Sequence, residues 1–486
     1  MGASIFWYDF ETTGINPAAD RALQVAGIRT DEELNEIGEP LNIYCRPADD
    51  ILAHPRASLV TGIGPQQLQE QGLSEAEFIG RLQQELMQPQ TCTAGYNSLR
   101  FDDEFVRYGL YRNFHDPYAR EWQGGNSRWD ILDALRCAWA LAPDGINWPK
   151  NDEGRVSFRL ELLTAANGIE HGQAHDALAD VRATIAMARL LRKAQPELYA
   201  HLYRMRDKNL VHNALRIGRP VVHVSGKLGW QRRYLSVVLP LLQDATNRNA
   251  YVVCDLLADV QPLLKLSAEE IRQRLYTRHD ELAAGESPIP LKKIQANRCP
   301  ALVGMDSLAA DKQPWLQLDE QLWRNNGRLL VDNLAAIQEK LREVFRAEQF
   351  PERTDPEQQL YGGFLGNRDR DLCRQVLQSD AQTLAQGIWP FDDQRLPELL
   401  FRYRARNFPD SLTAEEQQRW QLFCRERLLN AEAGAPLTVP GFVAACQELS
   451  EEERQTEVVR QWQAHVEELM QRYALTDVIS GMPDDP

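Results

Sequence analysis

The segment Ser4-Ile5-Phe6-Trp7-Tyr8-Asp9-Phe10-Glu11 places two carboxylates at the end of an apolar, aromatic run. Such a run, closed by the turn-forming Thr12-Thr13-Gly14, reads as a strand. Residues two apart on a strand project from one face, so Asp9 and Glu11 point the same way. Crowded carboxylates repel unless a cation or a proton lies between them. A fold built on this strand therefore has to leave its end open to solvent or assemble a site there. The pair alone does not choose between these.

Two later segments bear on that choice. TCTAGYN (91–97) reads as a buried strand entering a loop, and FDDEFVRYGLYRNF (101–114) opens a helix with Phe101, Phe105 and Leu110 on one side. Asp102 falls at the helix start, where an acid can cap the helix or ligate a metal. Asp103 and Glu104 are adjacent alternatives; Asp102 is preferred because it follows Phe101, which starts the apolar stripe. The clearest helix spans 174–193, with a stripe of Leu178, Val181, Ile185 and Leu190, basic residues in its last turn and Pro196 beyond. Asp180 lies in its first turns, opposite the stripe, and His175 just before it. A histidine there can be a surface residue or a cap. Beside carboxylates that hold Mg²⁺ or Mn²⁺ it could take a proton from an activated water near neutral pH.

The chain has 486 residues, enough for about three domains at roughly 100–200 residues each. Its net charge of −16 argues against a polyanionic partner, but the distribution does not. Residues 1–195 carry −10, 196–350 carry +4 and 351–486 carry −10. Between 201 and 233 lie Arg204, Arg206, Lys208, Arg216, Arg219, Lys227, Arg232 and Arg233 against the single acid Asp207. That run reads as a phosphate-tracking surface or as a solvated basic face. The eight cysteines are scattered with no CxxC pair, as suits reduced thiols in a cytoplasm. No apolar stretch approaches the ~20 residues of a membrane helix, and the N-terminus lacks the basic start of a secretory signal. No G-x-x-x-x-G-K-[ST] segment points to ATP use.

Strands are expected at 4–11, 22–31 and 41–47, with a helix over 74–87, giving an α/β first domain at 1–195. VVHVSG (221–226), YLSVVLPL (234–241) and AYVVCDL (250–256) are strand-like, with helices at 267–278 and 328–347, so 196–350 reads as a small basic β-rich domain. FPERTDPEQQ (350–359), polar with two prolines, reads as a linker. Helical periods at 367–387, 396–404, 412–429, 440–449 and 450–474 make 351–486 a helical domain ending in a frayed ISGMPDDP tail.

Taken together, D-x-E, N-x-x-x-F-D and H-x-A-x-x-D resemble, in order, spacing and setting, the DEDDh branch of the DEDD 3′→5′ exonuclease superfamily. The resemblance implies an RNase H-like α/β fold on which Asp9, Glu11, Asp102 and Asp180 hold two Mg²⁺ ions, Mn²⁺ being a plausible substitute. His175 would be the general base. Thr61-Gly62-Ile63 matches a T-G-I segment common in that family. WYDFETTGINPAADRALQVAGIRTD, GYNSLRFDDEFVRYGLYRNFHDPY, NSRWDILDALR, GINWPKNDEGRVSFRLELLTAANGIEH and FRYRARNFP are similar to bacterial exonuclease I sequences, most strongly over 5–192 and least after about 430. That likeness implies a DEDDh nuclease domain, an SH3-like β-barrel with helical additions and an all-α C-terminal domain. It implies degradation of single-stranded DNA from its 3′ end to 5′-mononucleotides, in DNA repair and recombination. It also implies a monomeric cytoplasmic enzyme that binds the acidic C-terminal tail of single-stranded DNA-binding protein and no membrane. A 3′→5′ exoribonuclease is the alternative, because catalytic motifs do not report on the 2′-hydroxyl.

Single strands are held by aromatic stacking together with basic groups along the backbone. Arg107, Tyr118, Trp122, Arg136, Phe158 and Arg159 are the expected strand contacts, Arg159 nearest the scissile end. Each could equally be a core aromatic or a surface arginine. Trp129, followed by Ile131, Leu132 and Leu135, reads as core. Arg402, Arg404 and Arg406, alternating in RYRARNF, are placed to close the groove from the C-terminal domain.

Overall fold

The structure, a computed structural model, describes residues 2–172, 176–283, 285–308, 315–316, 318–346 and 353–475. The chain forms two compact units. The first gathers Met1–Ser127, His171–Ala183 and Glu352–Pro486; the second comprises Arg128–Glu170 and Thr184–Pro351.

In the first unit β1 (Ser4–Thr12), β2 (Ala22–Thr30), β3 (Leu41–Cys45), β4 (Gly72–Leu73) and β5 (Thr91–Gly95) build a sheet in the order β4-β3-β2-β1-β5. β1 pairs antiparallel with β2 and parallel with β5. Its alternation has a direct structural result. Phe6, Tyr8 and Phe10 enter a core with Phe78, Leu82 and Leu86 of the helix Glu75–Leu86 and with Phe105, Val106 and Leu110 of the helix Asp102–Arg112. Asp9 and Glu11 consequently face away from that core. Phe6 lies over β2 so closely that a Cβ on Gly27 would stand 2.2 Å from its ring, so only glycine fits there.

The C-terminal helices complete this unit. Leu23, Leu52, Ile63 and Leu68 share a core with Leu428, Phe442, Trp462 and Val466, and the Trp462 indole N–H donates to the Ile63 carbonyl at 3.0 Å. Three expectations change. The helical periods at 367–387 and 450–474 are each broken. Asp380 caps Ala381–Gln386 after Asn367–Gln378, and the chain turns at Gln455 between Glu451–Arg454 and Glu457–Arg472. The expected linker at 350–359 is, over its described residues, a built-in part of the unit. Asp355 and Glu357 in it are paired with Arg402, Arg406, Arg427 and Arg21. The arginines of RYRARNF are the third correction. Arg402, Arg404 and Arg406 are buried in ion pairs with Asp355, Glu416 and Asp50, because the helix Arg395–Asn407 turns them inward against carboxylates. Their guanidiniums are thus committed to carboxylates of the protein itself. The tail beyond 475 lies outside the described residues.

β6 (Ser127–Asp130) carries the chain into the second unit and ends at Asp130, whose carboxylate caps the helix Ile131–Leu141 by accepting from Leu132 N–H at 2.9 Å. Here β7 (Val221–Val224), β8 (Leu235–Gln243), β9 (Ala250–Asp255), β10 (Leu291–Gln295) and β11 (Ala301–Val303) form an antiparallel sheet in the order β10-β9-β8-β7-β11. Along β8, Val237, Leu239 and Leu241 pack on Leu330, Ile337 and Leu341, whereas Val238 packs on Met205, Val211 and Leu215. Helices thus cover both faces. The single helix expected at 328–347 is two, Glu320–Asp332 and Leu334–Arg346, separated at Asn333, whose side-chain amide donates to Leu329 O at 2.9 Å. All eight cysteines are free thiols, and among the described residues no helix is long and apolar enough to cross a membrane.

Candidate active site

Asp9, Glu11 and Asp180 each offer a carboxylate oxygen within 4.8 Å of the others. β1 supplies the first two from one face and the start of the helix Ala177–Ala194 supplies the third. Glu11 is only 7% exposed. Burial, then the charges of Asp9, Asp180 and Asp176, push its carboxyl up to about 9. Burial followed by Asp102 and Asp180 holds Asp9 well above the usual carboxylate range. A cluster in which Asp9 and Glu11 resist ionisation beside Asp180 is one that a divalent cation can neutralise, and the all-oxygen donor set of the three suits a hard ion.

Asp102, 3% exposed, stands beside this cluster as the first residue of its helix, and its Oδ1 accepts from Phe10 N–H at 3.1 Å. The bond ties it to the strand between Asp9 and Glu11. Its neighbours are committed elsewhere. Asp103 accepts from Tyr8 O–H at 2.7 Å and from Arg120 at 2.6 Å, while Glu104 pairs with Arg107 and Tyr361.

His175 lies outside the described residues. Four positions earlier, His171 Nε2 lies 2.5 Å from Asp180 Oδ1. The sequence reading did not single it out. The available signal was a second histidine in the same short stretch of sequence, Glu170-His171-Gly172-Gln173-Ala174-His175.

The expected strand contacts divide between the two units. In the first, Arg107 is buried, forked onto Glu121 at 2.7 and 3.1 Å and stacked on Tyr118, with its guanidinium carbon 5.6 Å from the ring. Tyr118 also meets the ring of the exposed Phe364 edge-on. Trp122 is 65% exposed, in keeping with a surface role. In the second unit Arg136 pairs with Asp133 and lies over Phe158, and Arg159 is exposed beside Glu161. Trp129 is core, packed edge-on against Tyr199 and Tyr203, which stack on each other. The basic run is split as well. Arg204, Lys208, Arg216, Arg219 and Lys227 are exposed. Arg206 lies on Tyr203, Arg232 forks onto Asp255, and Arg233 is stacked on Trp139 and Trp315.

Residues 6–188 match the family described as Exonuclease, residues 206–347 the Exonuclease I SH3-like domain and residues 354–469 the Exonuclease I C-terminal domain. Exodeoxyribonuclease I of Haemophilus influenzae is 45% identical over 435 residues, 87% of this chain and 90% of that protein. The chain belongs to the exonuclease I family. Solved exonuclease I structures align with nearly the whole chain. The moderately thermophilic exonuclease I of Methylocaldum szegediense aligns with a TM-score of 0.92 at 44% identity, covering 96% of this chain and 100% of that one. The zinc-bound complex of Escherichia coli exonuclease I with single-stranded DNA aligns at 0.91 and 40% identity, covering 97% and 100%. The sheet bearing the acidic cluster thus belongs to the exonuclease domain, and the second sheet lies within the SH3-like match.

Proposed function

We propose that this protein is a Mg²⁺-dependent 3′→5′ exonuclease that degrades single-stranded DNA to 5′-mononucleotides in DNA repair and recombination. The convergence of Asp9, Glu11 and Asp180 in one partly buried cluster carries the reading. These residues and Asp102 would hold the ions. Bound there, Mg²⁺ supplies positive charge for the phosphodiester and lowers the pKa of water.

The chain's own groups provide the rest. β1 fixes Asp9 and Glu11 on one face, and the Phe10 N–H bond to Asp102 sets the position of the acid beside them. Discharging a cluster that favours protons at neutral pH gives the site its affinity for cations. His175 takes the proton of the attacking water. Trp122, Tyr118 and Phe158 offer faces for bases, and Arg159 meets the backbone. The zinc-bound, DNA-bound state of the E. coli relative supports both a divalent ion and a single strand as ligands. We also assign a monomeric, cytoplasmic enzyme whose exposed basic residues accept the acidic tail of single-stranded DNA-binding protein.

The test is to incubate the protein with 5′-labelled single-stranded DNA, duplex DNA and RNA, in Mg²⁺ and then in EDTA. Shortening of single-stranded DNA from its 3′ end, stopped by EDTA, is the expected result. Equal loss of RNA would remove the DNA assignment, and activity in EDTA would remove the metal.

A further inference from the structure

Before β8 the chain makes a tight turn, Gly229–Tyr234, in which Arg233 and Tyr234 both adopt left-handed backbone, with φ of 50° and 61°. The turn is closed by hydrogen bonds from Arg233 N–H to Trp230 O at 2.9 Å and from Tyr234 N–H to Gly229 O at 3.1 Å. Left-handed backbone is disfavoured for any residue with a Cβ and most of all for bulky ones, and glycine or asparagine would adopt it more readily. Two bulky residues in succession in this region are kept where their side chains are needed.

Both side chains are engaged in one aromatic assembly of the second unit. The Arg233 guanidinium lies over Trp139 at 4.6 Å and Trp315 at 5.5 Å, and it donates to Trp139 O at 3.2 Å. The Tyr234 ring stands 5.8 Å from Phe158, nearly perpendicular at 77°, and 6.2 Å from Trp139. Phe158 is enclosed further by Trp148 at 5.9 Å, Trp139 at 6.2 Å and the Arg136 guanidinium at 5.6 Å. Arg136 is itself braced: it donates to Asp133 at 2.7 Å and abuts Gly226, where a Cβ would stand 2.9 Å from its guanidinium carbon. Arg155 lies 4.8 Å above Trp230, tying the loop before Phe158 to the same turn. Tyr234 thus forms one wall of the enclosure around the Phe158 ring, and Arg233 packs on the Trp139 that forms another.

We propose that Tyr234 is a positioning residue for strand binding: the left-handed turn Arg233–Tyr234 holds Phe158 in one orientation, as a rigid face on which a base of the single strand stacks. This rests on the assignment of Phe158 as a strand contact. A ring already fixed loses little freedom when a base lands on it, so the effect falls on binding rather than on turnover.

Tyr234→Gly separates this role from a structural one, because glycine suits the left-handed backbone while removing the ring. In the full-length enzyme acting on an oligothymidylate, Tm should stay level or rise. KM should increase about 3- to 10-fold, the range of one aromatic pair, with kcat within about twofold. Tyr234→Phe should restore KM, and adding Tyr234→Gly to Phe158→Ala should raise KM no further. Wild-type KM in Tyr234→Gly, or full additivity with Phe158→Ala, would overturn the proposal while leaving Phe158 as a contact. Wild-type KM in Phe158→Ala would instead remove the contact assignment and the proposal with it. If the glycine variant does not fold, Tyr234→Asn, which also tolerates this backbone, is measured by the same criteria.

Discussion

Arg406 grips Asp50 across 356 residues of chain, its Nε and Nη2 donating to the two carboxylate oxygens at 3.1 and 2.8 Å in the interior of the first unit. The same guanidinium reaches Glu357, which also pairs with Arg21, and Arg427 bridges Asp50 to Asp355. A network of buried opposite charges therefore joins the strands of the nuclease sheet to the C-terminal helices. Removing one partner leaves the others buried and uncompensated.

Asp50→Asn should accordingly cost about 3–5 kcal/mol of stability, read by chemical denaturation. A change below about 1 kcal/mol would mean that the network is dispensable. The network also has a pH signature. Arg406 and Arg427 outweigh burial and hold Asp50 below its ordinary 3.8, and Glu357 is driven well below 4.5 by Arg406, Arg21 and Arg402. Carboxylates depressed in the folded state stabilise it above their unfolded pKa, and that stabilisation is lost as pH falls through the folded value. Wild-type Tm should drop steeply below about pH 4, and the Asn variant should lose part of that dependence.

The acidic cluster acts in the opposite sense. Glu11 is raised from 4.5 to about 9, so between those values the folded protein retains a proton that the unfolded chain has released. In EDTA, stability should therefore fall as pH rises from 7 to 9, by about 1.4 kcal/mol per pH unit for each such proton. Saturating Mg²⁺ should abolish the slope, because the cation replaces the proton. A flat profile in EDTA would show that the acids do not repel as the geometry requires.

Asp180→Ala removes one metal-facing carboxylate. Turnover should fall at least about a thousandfold while single-stranded DNA binding persists. Tm in EDTA should hold or rise, since one source of repulsion is gone. Retained turnover would overturn the metal assignment.

Trp122 is 65% exposed, so its replacement tests contact without disturbing a core. Trp122→Ala should weaken strand binding by about 1–3 kcal/mol, measured by fluorescence anisotropy, and change stability by no more than about 0.5 kcal/mol. Unchanged affinity would return Trp122 to an ordinary surface residue.

The basic run is best tested where its side chains are exposed. Charge reversal at Lys208, Arg216 and Arg219 should flatten the salt dependence of strand binding, by about 0.7 in log–log slope for each phosphate no longer neutralised. Arg232 and Arg233 are poor reporters, being committed to Asp255 and to Trp139. An unchanged slope would make the run a solvated face.

Much of the site was legible because local rules govern it. Asp9 and Glu11 share a face through strand periodicity, Asp102 sits at a helix start, and Asp180 lies in the first turn of a strongly periodic helix. Helix boundaries were less legible. The stripes at 328–347 and 450–474 run on through Asn333 and Gln455, where a local break in the backbone rather than a loss of hydrophobicity ends each helix. The helices Pro55–Thr61 and Pro65–Gln71 are too short to show a stripe at all.

The sequence by itself determined the family, the acidic motif and the alternation that aims it away from the aromatic core. Only the tertiary structure decided what each arginine does. A charged side chain reads the same in sequence whether it faces solvent, a phosphate or a buried carboxylate. Arg406 and Arg219 differ only in what the fold brings beside them, and for Arg406 that partner is 356 residues away in the chain.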